Sequence, residues 1–223
     1  MLRGCYGWSS DSQIDKQFVN NIKGCEANGI PYGVYHYSYA RNTEEAVKEA
    51  KFFIHVLEKC KANPTYPVAF DFEDPNAHGK LSNKQKADIC YAFCSYLENA
   101  GYYVILYSMA SWLTNYLNDS RLDKFDKWVA HVNVSKPSYK KPYGIWQYSW
   151  KGSVSGIKGN VDLNYSYKNY HKIIKDNKLN KIETNDEANT KYQLVVDVVG
   201  KKKVEDLRVE LSRKGFTSSI KHV

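Results

Sequence analysis

Apolar side chains recur along this chain in two rhythms. Residues 1–7, 33–39 (GVYHYSY), 67–73 (PVAFDFE) and 103–107 (YVILY) are short β-branched or aromatic runs and read as strands. Between them the spacing turns helical. Ile14, Phe18, Ile22 and Cys25 predict a helix over 13–28, with Gly29 and Pro31 after it. Asn42 or Thr43 caps a helix to about residue 61, with Glu44 and Glu45 in its first turn. Ser82 caps another, to Ala100, and Gly101 ends it. A short helix is predicted over 111–117. After it the helical rhythm lapses, and 127–133 (KWVAHVN), 145–148 (IWQY) and 160–164 (NVDLN) are strands joined by Gly, Pro and Ser loops. Such an order predicts a parallel barrel of βα units finished by less regular strands.

A helix over 167–178 is expected to close the barrel, which then occupies residues 1–178. Residues 179–190 are polar and read as a linker. Residues 191–223 read as a small β-α-β tail, too short to bury a core alone.

One strand carries candidate chemistry. Val68, Phe70 and Phe72 alternate with Ala69, Asp71 and Glu73, so the two acids share a face, about 7 Å apart along the strand. Pro75 ends the run. In such a pair one acid can hold a proton while its neighbour stays ionised, which serves glycoside hydrolysis, phosphoryl transfer and divalent-metal binding alike. The adjacent anion, with apolar neighbours such as Phe70 and Phe72, is expected to keep the donor protonated. Active sites of parallel barrels lie at the carboxyl ends of strands, where Tyr107 and Asp162 are also expected.

Composition narrows these options. Nineteen Tyr, five Trp and eight Phe suit sugar stacking as well as core filling. A net charge of +8 draws the chain toward polyanions. Its basic residues are dispersed apart from 201–203, and no nucleic-acid-binding motif accompanies them, so nucleic acid is not expected. Cys5, Cys25, Cys60, Cys90 and Cys94 lack metal-ligand spacing and read as buried thiols. A metal-dependent enzyme wants further ligands at strand ends, and only Asp162 offers one, so no metal or other cofactor is expected. Neither a signal segment nor a membrane-spanning run is read from the sequence, and no membrane insertion is expected.

Taken in order, GIPYGVYHYSYA, PVAFDFED, YVILYS, KWVAHV and GIWQYSWKGSVSGIKGNVDLN resemble the family-25 glycoside hydrolases, the muramidases of phage endolysins and bacterial autolysins. The resemblance runs from about Arg3 to Tyr170 and implies an α/β fold, a TIM-like (β/α)5(β)3 barrel, here incomplete. It implies hydrolysis of the β-1,4 bond between N-acetylmuramic acid and N-acetylglucosamine in bacterial peptidoglycan. Glu73 then matches the general acid, Asp71 the neighbour that orients or charge-stabilises the acetamido group, and Asp162 a further cleft carboxylate. Tyr37, Tyr107, Trp128 and Gln147 match the sugar-contacting lining, whereas His36 and His131 read as structural. The tail resembles about half of a SPOR-type peptidoglycan-binding domain.

Family members ordinarily place a GIDVS-type strand and a helix ahead of the segment that here reads LRGCYG, and that strand carries another cleft aspartate. An open seam is therefore expected between 1–7 and 160–164, with a second copy of the chain as one way to seal it. A non-catalytic glycan binder stands as the alternative to an enzyme. Expected partners are peptidoglycan and the anionic polymers of the wall. The expected route is synthesis in the cytoplasm without a signal peptide, and action on the wall after release by a holin or lysis.

Overall fold

The computed structural model describes residues 1–181; the tail at 191–223 and the linker from residue 182 lie outside the described residues. Seven strands make one sheet in sequence order: β1 (Leu2–Tyr6), β2 (Val34–Tyr37), β3 (Val68–Asp71), β4 (Val104–Met109), β5 (Asp126–Ala130), β6 (Ile145–Gly152) and β7 (Val161–Ser166). Pairs from β1 through β6 are parallel, and β6–β7 is antiparallel. The helices are α1 (Phe18–Ala27), α2 (Thr43–Lys59), α3 (Pro75–His78), α4 (Asn83–Asn99), α5 (Ala110–Asn115) and α6 (Tyr170–Asp176). This is the incomplete α/β barrel that the strand–helix order predicts, a curled sheet with β1 and β7 as its edges among the described residues.

Local signals explain the long helices. Asn42 Oδ1 accepts the Glu45 N–H at 2.9 Å and starts α2. Ser82 and Gln85 form a reciprocal capping box on α4. Gly101 follows α4 at φ +87°, a conformation that favours glycine. The first helix starts at Phe18, later than its apolar spacing predicts. Ile14 bridges to Cys5, and residues 11–13 instead form a 3-10 turn whose Gln13 side chain accepts the Ser9 and Ser10 N–H groups. The hairpin β6–β7 is longer than the short runs predicted, because cross-strand pairing continues to Gly152 and Val161.

The sheet separates two cores. Its outer face packs Val34, Val68, Phe70, Phe72 and Leu106 against Phe53, Ile89 and Phe93 from the helices, with Phe70 stacked on Phe93 at 3.9 Å. Each such side chain contributes about 1.5–3 kcal/mol when fully buried. The inner face gathers Ala69, Ile105, Tyr107, Trp128, Ala130 and Ile145, and Tyr170 and Ile174 of α6 close its amino-terminal end. A Cβ on Gly144 would lie 1.7 Å from the Tyr170 hydroxyl, so that approach requires glycine. Leu179 and Asn180, expected in the linker, pack here too. Asn180 is buried and donates to the Pro64 and Tyr66 carbonyls at 2.9 Å. No described helix is long and apolar enough to cross a membrane.

Candidate active site

Register builds the site. Tyr37 on β2, Asp71 on β3, Tyr107 on β4 and Trp128 on β5 are lateral neighbours in one row of the sheet. Laterally paired residues of a parallel sheet share a face, so all four project inward. Below them lies the row of Tyr35, Ala69 and Ile105, where the small Ala69 leaves room under Asp71. β3 ends at Asp71, and Glu73 follows just past it on the same side. Asp74 then caps α3, accepting from Asn76 and Ala77 N–H at 2.7 and 3.0 Å, with Pro75 at the first helical position. Pro75 therefore opens a helix, which the sequence pattern did not indicate.

These elements enclose a cavity of about 490 Å³. Asp71, Glu73, Asp162, Tyr37, Tyr107, Trp128 and Gln147, the seven residues expected at the site, all line it. Arg3, Tyr35, Val161 and Asn164 complete much of the remaining wall. Two of these were within reach of the sequence: Tyr35 lies two residues from Tyr37 and Asn164 two from Asp162, the spacing of a shared strand face. Because Arg3 comes from β1 and Asp162 from β7, both edges border the same cavity.

Hydrogen bonds hold the aromatic walls. The Tyr107 hydroxyl donates to Gln147 Oε1 at 2.9 Å, and Trp128 Nε1 donates to Asn164 Oδ1 at 2.8 Å. The Tyr107 and Trp128 rings meet edge to face at 4.6 Å. The Tyr37 hydroxyl donates to Asp74 Oδ2 at 3.2 Å. Asp71 is different. It is 6% exposed, and its Oδ1 has no hydrogen-bond partner among the described residues.

The acids respond to these surroundings. Burial, and then the charge of Glu73, pushes Asp71 well above the usual carboxylate range; the Arg3 guanidinium only partly opposes it. Burial also raises Glu73, helped by the charges of Asp162 and Asp74 and opposed by the neighbouring Tyr107 hydroxyl. Burial pushes Asp74 up as well, but the donors of the helix cap and Tyr37 outweigh it and hold this group below its ordinary value. The apolar environment of the pair is not the one expected from the sequence. Phe70 and Phe72 face the outer core, where Phe72 stacks on His78, so Tyr35, Tyr107 and Trp128 exclude water from the acids instead.

His36 is fully buried on the outer face, between Cys5 Sγ at 3.3 Å and Glu49 Oε2 at 3.4 Å, away from the cavity. His131 Nδ1 accepts the Ser138 N–H at 3.1 Å. Cys5, Cys90 and Cys94 are buried free thiols, and Cys25 and Cys60 are partly so. Among the described residues no group of three or more His, Cys, Asp or Glu side chains is placed to hold a metal ion.

Known proteins share this arrangement of segments. The autolytic lysozyme of Clostridium acetobutylicum is 27% identical over 149 residues, 67% of this chain and 43% of the relative. The solved modular autolysin LytC of Streptococcus pneumoniae is 31% identical, with a TM-score of 0.64 over 73% of this chain and 39% of its own. The solved catalytic domain of the endolysin ply40, from Listeria monocytogenes bacteriophage P40, is 26% identical, with a TM-score of 0.64 over 77% and 83%. The chain spans about half the length of the curated relatives it matches. The model of the glycosyl hydrolases family 25 matches residues 9–157, well over half of the sequence, and the chain belongs to that family.

Proposed function

We propose that this cleft hydrolyses the glycan strand of bacterial peptidoglycan, at the β-1,4 bond between N-acetylmuramic acid and N-acetylglucosamine. The observation that carries the reading is the pair Asp71 and Glu73, both raised by burial, at the floor of an aromatic cavity bordered by Asp162. Two buried carboxyls side by side do not both ionise cheaply, so the pair retains a proton toward neutral pH. Glu73 is only half-buried, which makes it the member that a glycosidic oxygen can reach and the general acid. Protonating the leaving oxygen while the glycosidic bond breaks leaves oxocarbenium-like charge on the sugar ring, and water finally adds at the anomeric carbon and gives up a proton, leaving the reducing end. Asp71 is then the neighbour that orients the acetamido group, and Asp162, which lines the same cavity from β7, is the further carboxylate of the cleft. Tyr37, Tyr107, Trp128 and Gln147 form the walls against which the sugars pack. The net charge of +8 helps retain the protein on anionic wall polymers, an adhesion that salt should weaken. Action on the wall after release by lysis fits the similarity to an endolysin and an autolysin.

Muropeptide mass spectrometry of digested walls tests the proposal. New reducing N-acetylmuramic acid ends from the native chain, absent with Glu73→Gln, are expected. Reducing N-acetylglucosamine ends would overturn the bond assignment, and cleavage that survives the substitution would remove Glu73 from its role. Walls bound but never cut would leave a glycan-binding cleft without turnover, the reading favoured by a sheet that, among the described residues, stays open between β1 and β7 at the cavity's border.

A further inference from the structure

We propose that Trp150 is a sugar-stacking platform, an additional glycan subsite on the rim of the cleft. The inference builds on the reading of the cleft as glycan-binding. Trp150 falls inside the GIWQYSWKG segment, but the sequence pattern gives it no role and the cavity lining does not include it.

A register irregularity turns this side chain toward the cleft. Gln147 pairs with Asn164, yet Ser149 pairs with Leu163, so β6 advances two residues while β7 advances one. Tyr148 is the extra residue of a bulge, and a bulge inverts the alternation of faces beyond it. Asn164 and Asp162 line the cavity, so Leu163 and its partner Ser149 face the other way. Trp150, next after Ser149, falls on the cleft side by this count, and because a second irregularity follows between Ser149 and Gly152 it is the indole's hydrogen bond that fixes the orientation. Regular alternation would have put Trp150 outside with Trp146 and Tyr148.

The side chain agrees with the register. Trp150 Nε1 donates to Gln147 Oε1 at 3.1 Å, the same oxygen that accepts the Tyr107 hydroxyl. The indole is thus pinned by its polar edge to the cavity wall, while 48% of the residue stays exposed. Outside the cleft, by contrast, Tyr148 and Tyr165 spend their faces on each other in a stack at 4.5 Å. No such aromatic partner covers Trp150 among the described residues. An exposed, oriented indole gains little for folding and presents a flat apolar face to the C–H face of a pyranose. A strand too long for a cavity of about 490 Å³ has to leave it over a rim, and Trp150 sits one hydrogen bond from the wall.

Binding to the inactive Glu73→Gln protein separates this inference from the catalytic one. Short and long glycan strands, freed of peptide, are titrated onto that protein with Trp150 intact, replaced by Ala, or replaced by Phe. Trp150→Ala should weaken long-strand binding about fivefold to tenfold, with short strands unchanged and Trp150→Phe restoring most of the loss. Unchanged long-strand affinity in the Ala variant would overturn the platform. So would a Phe variant as weak as Ala, because the residue would then act only through the Gln147 hydrogen bond. A native chain that binds strands with this length dependence but never cuts them would refute the hydrolase and leave the subsite standing.

Discussion

At the amino-terminal end of the barrel, Asp126 accepts the Tyr103 and Tyr170 hydroxyls at 3.0 and 2.9 Å and the Lys168 ammonium at 2.7 Å. At the carboxyl-terminal end, Asp71 is similarly withdrawn from water but keeps an oxygen without a donor, beside a second acid. Both are carboxylates on the inner face of one sheet. The first has its polar needs met within the fold; the second has a need that a ligand can meet. Buried polar groups are ordinarily satisfied; of the unpaired atoms among the described residues, the Asp71 oxygen is the one that belongs to an acid lining the cavity, where stability is given up for chemistry. The contrast separates a structural end from a working end.

The largest effect expected is on turnover at the working end. Glu73→Gln keeps the shape and removes the proton donor, and should lower glycan cleavage by about 10²–10⁴-fold with the fold intact, as read by muropeptide release and circular dichroism. A matching loss from a change at Asp126 in folded protein would break the comparison.

The next largest belongs to the structural end. Asp126→Ala leaves the Tyr103 and Tyr170 hydroxyls and Lys168 without their acceptor. It should cost about 3 kcal/mol in urea denaturation, while kcat of the folded fraction stays near the native value.

Asp71→Asn tests the sign of the opposition. The folded-state value of Asp71 lies above the unfolded one of about 3.9. Its folded form therefore binds a proton more tightly, and its effect favours folding in acid. That advantage disappears as pH rises from about 4 through the raised folded value, beyond which the buried anion opposes folding. The Asn variant should thus match the native chain near pH 4 and exceed it by roughly 1 kcal/mol at pH 7, in paired denaturation curves. Its cleavage rate should fall. A native chain that gains stability over the Asn variant as pH rises would show instead that the fold welcomes the anion.

How far the sequence discloses the two ends follows from how local their signals are. The working end is carried by period-two alternation: Asp71 and Glu73 two apart, and Tyr37 and Tyr107 at the close of strand-like runs. The same rule reaches Tyr35 and Asn164. It also places Phe70 and Phe72 opposite the acids, so their assignment as the acids' apolar neighbours failed against the strand's own geometry. Arg3 and Trp150 needed more. The first depends on how far the sheet curls, and the second on a one-residue bulge that no composition signals. At the structural end, Tyr103, Asp126 and Tyr170 are brought together from three distant segments by register and by the docking of α6. Asn180, which accepts the Tyr103 N–H at 2.8 Å, looks from its polar neighbours like the start of a linker. The barrel was legible because βα alternation is local, whereas its seam and lower closure are tertiary.

The smallest effect concerns which partner satisfies Asp126. Lys168 makes the shortest contacts, 2.8 and 2.7 Å to the two carboxylate oxygens, which suggests an ion pair as the anchor. Its side chain is 42% exposed, however, against 9% for Asp126. Water competes for an ammonium so placed, and exposed pairs of this kind contribute about 0–1 kcal/mol. The two tyrosine hydroxyls are shielded and lose a partner outright if the carboxylate goes. Lys168→Ala should therefore cost about 0.5 kcal/mol and make denaturation less salt-dependent, whereas Tyr170→Phe should cost more, about 1–2 kcal/mol. If the lysine change proves the costlier, Asp126 is held chiefly by charge. The two ends would then differ in whether a cation was supplied, rather than in whether every lone pair found a donor.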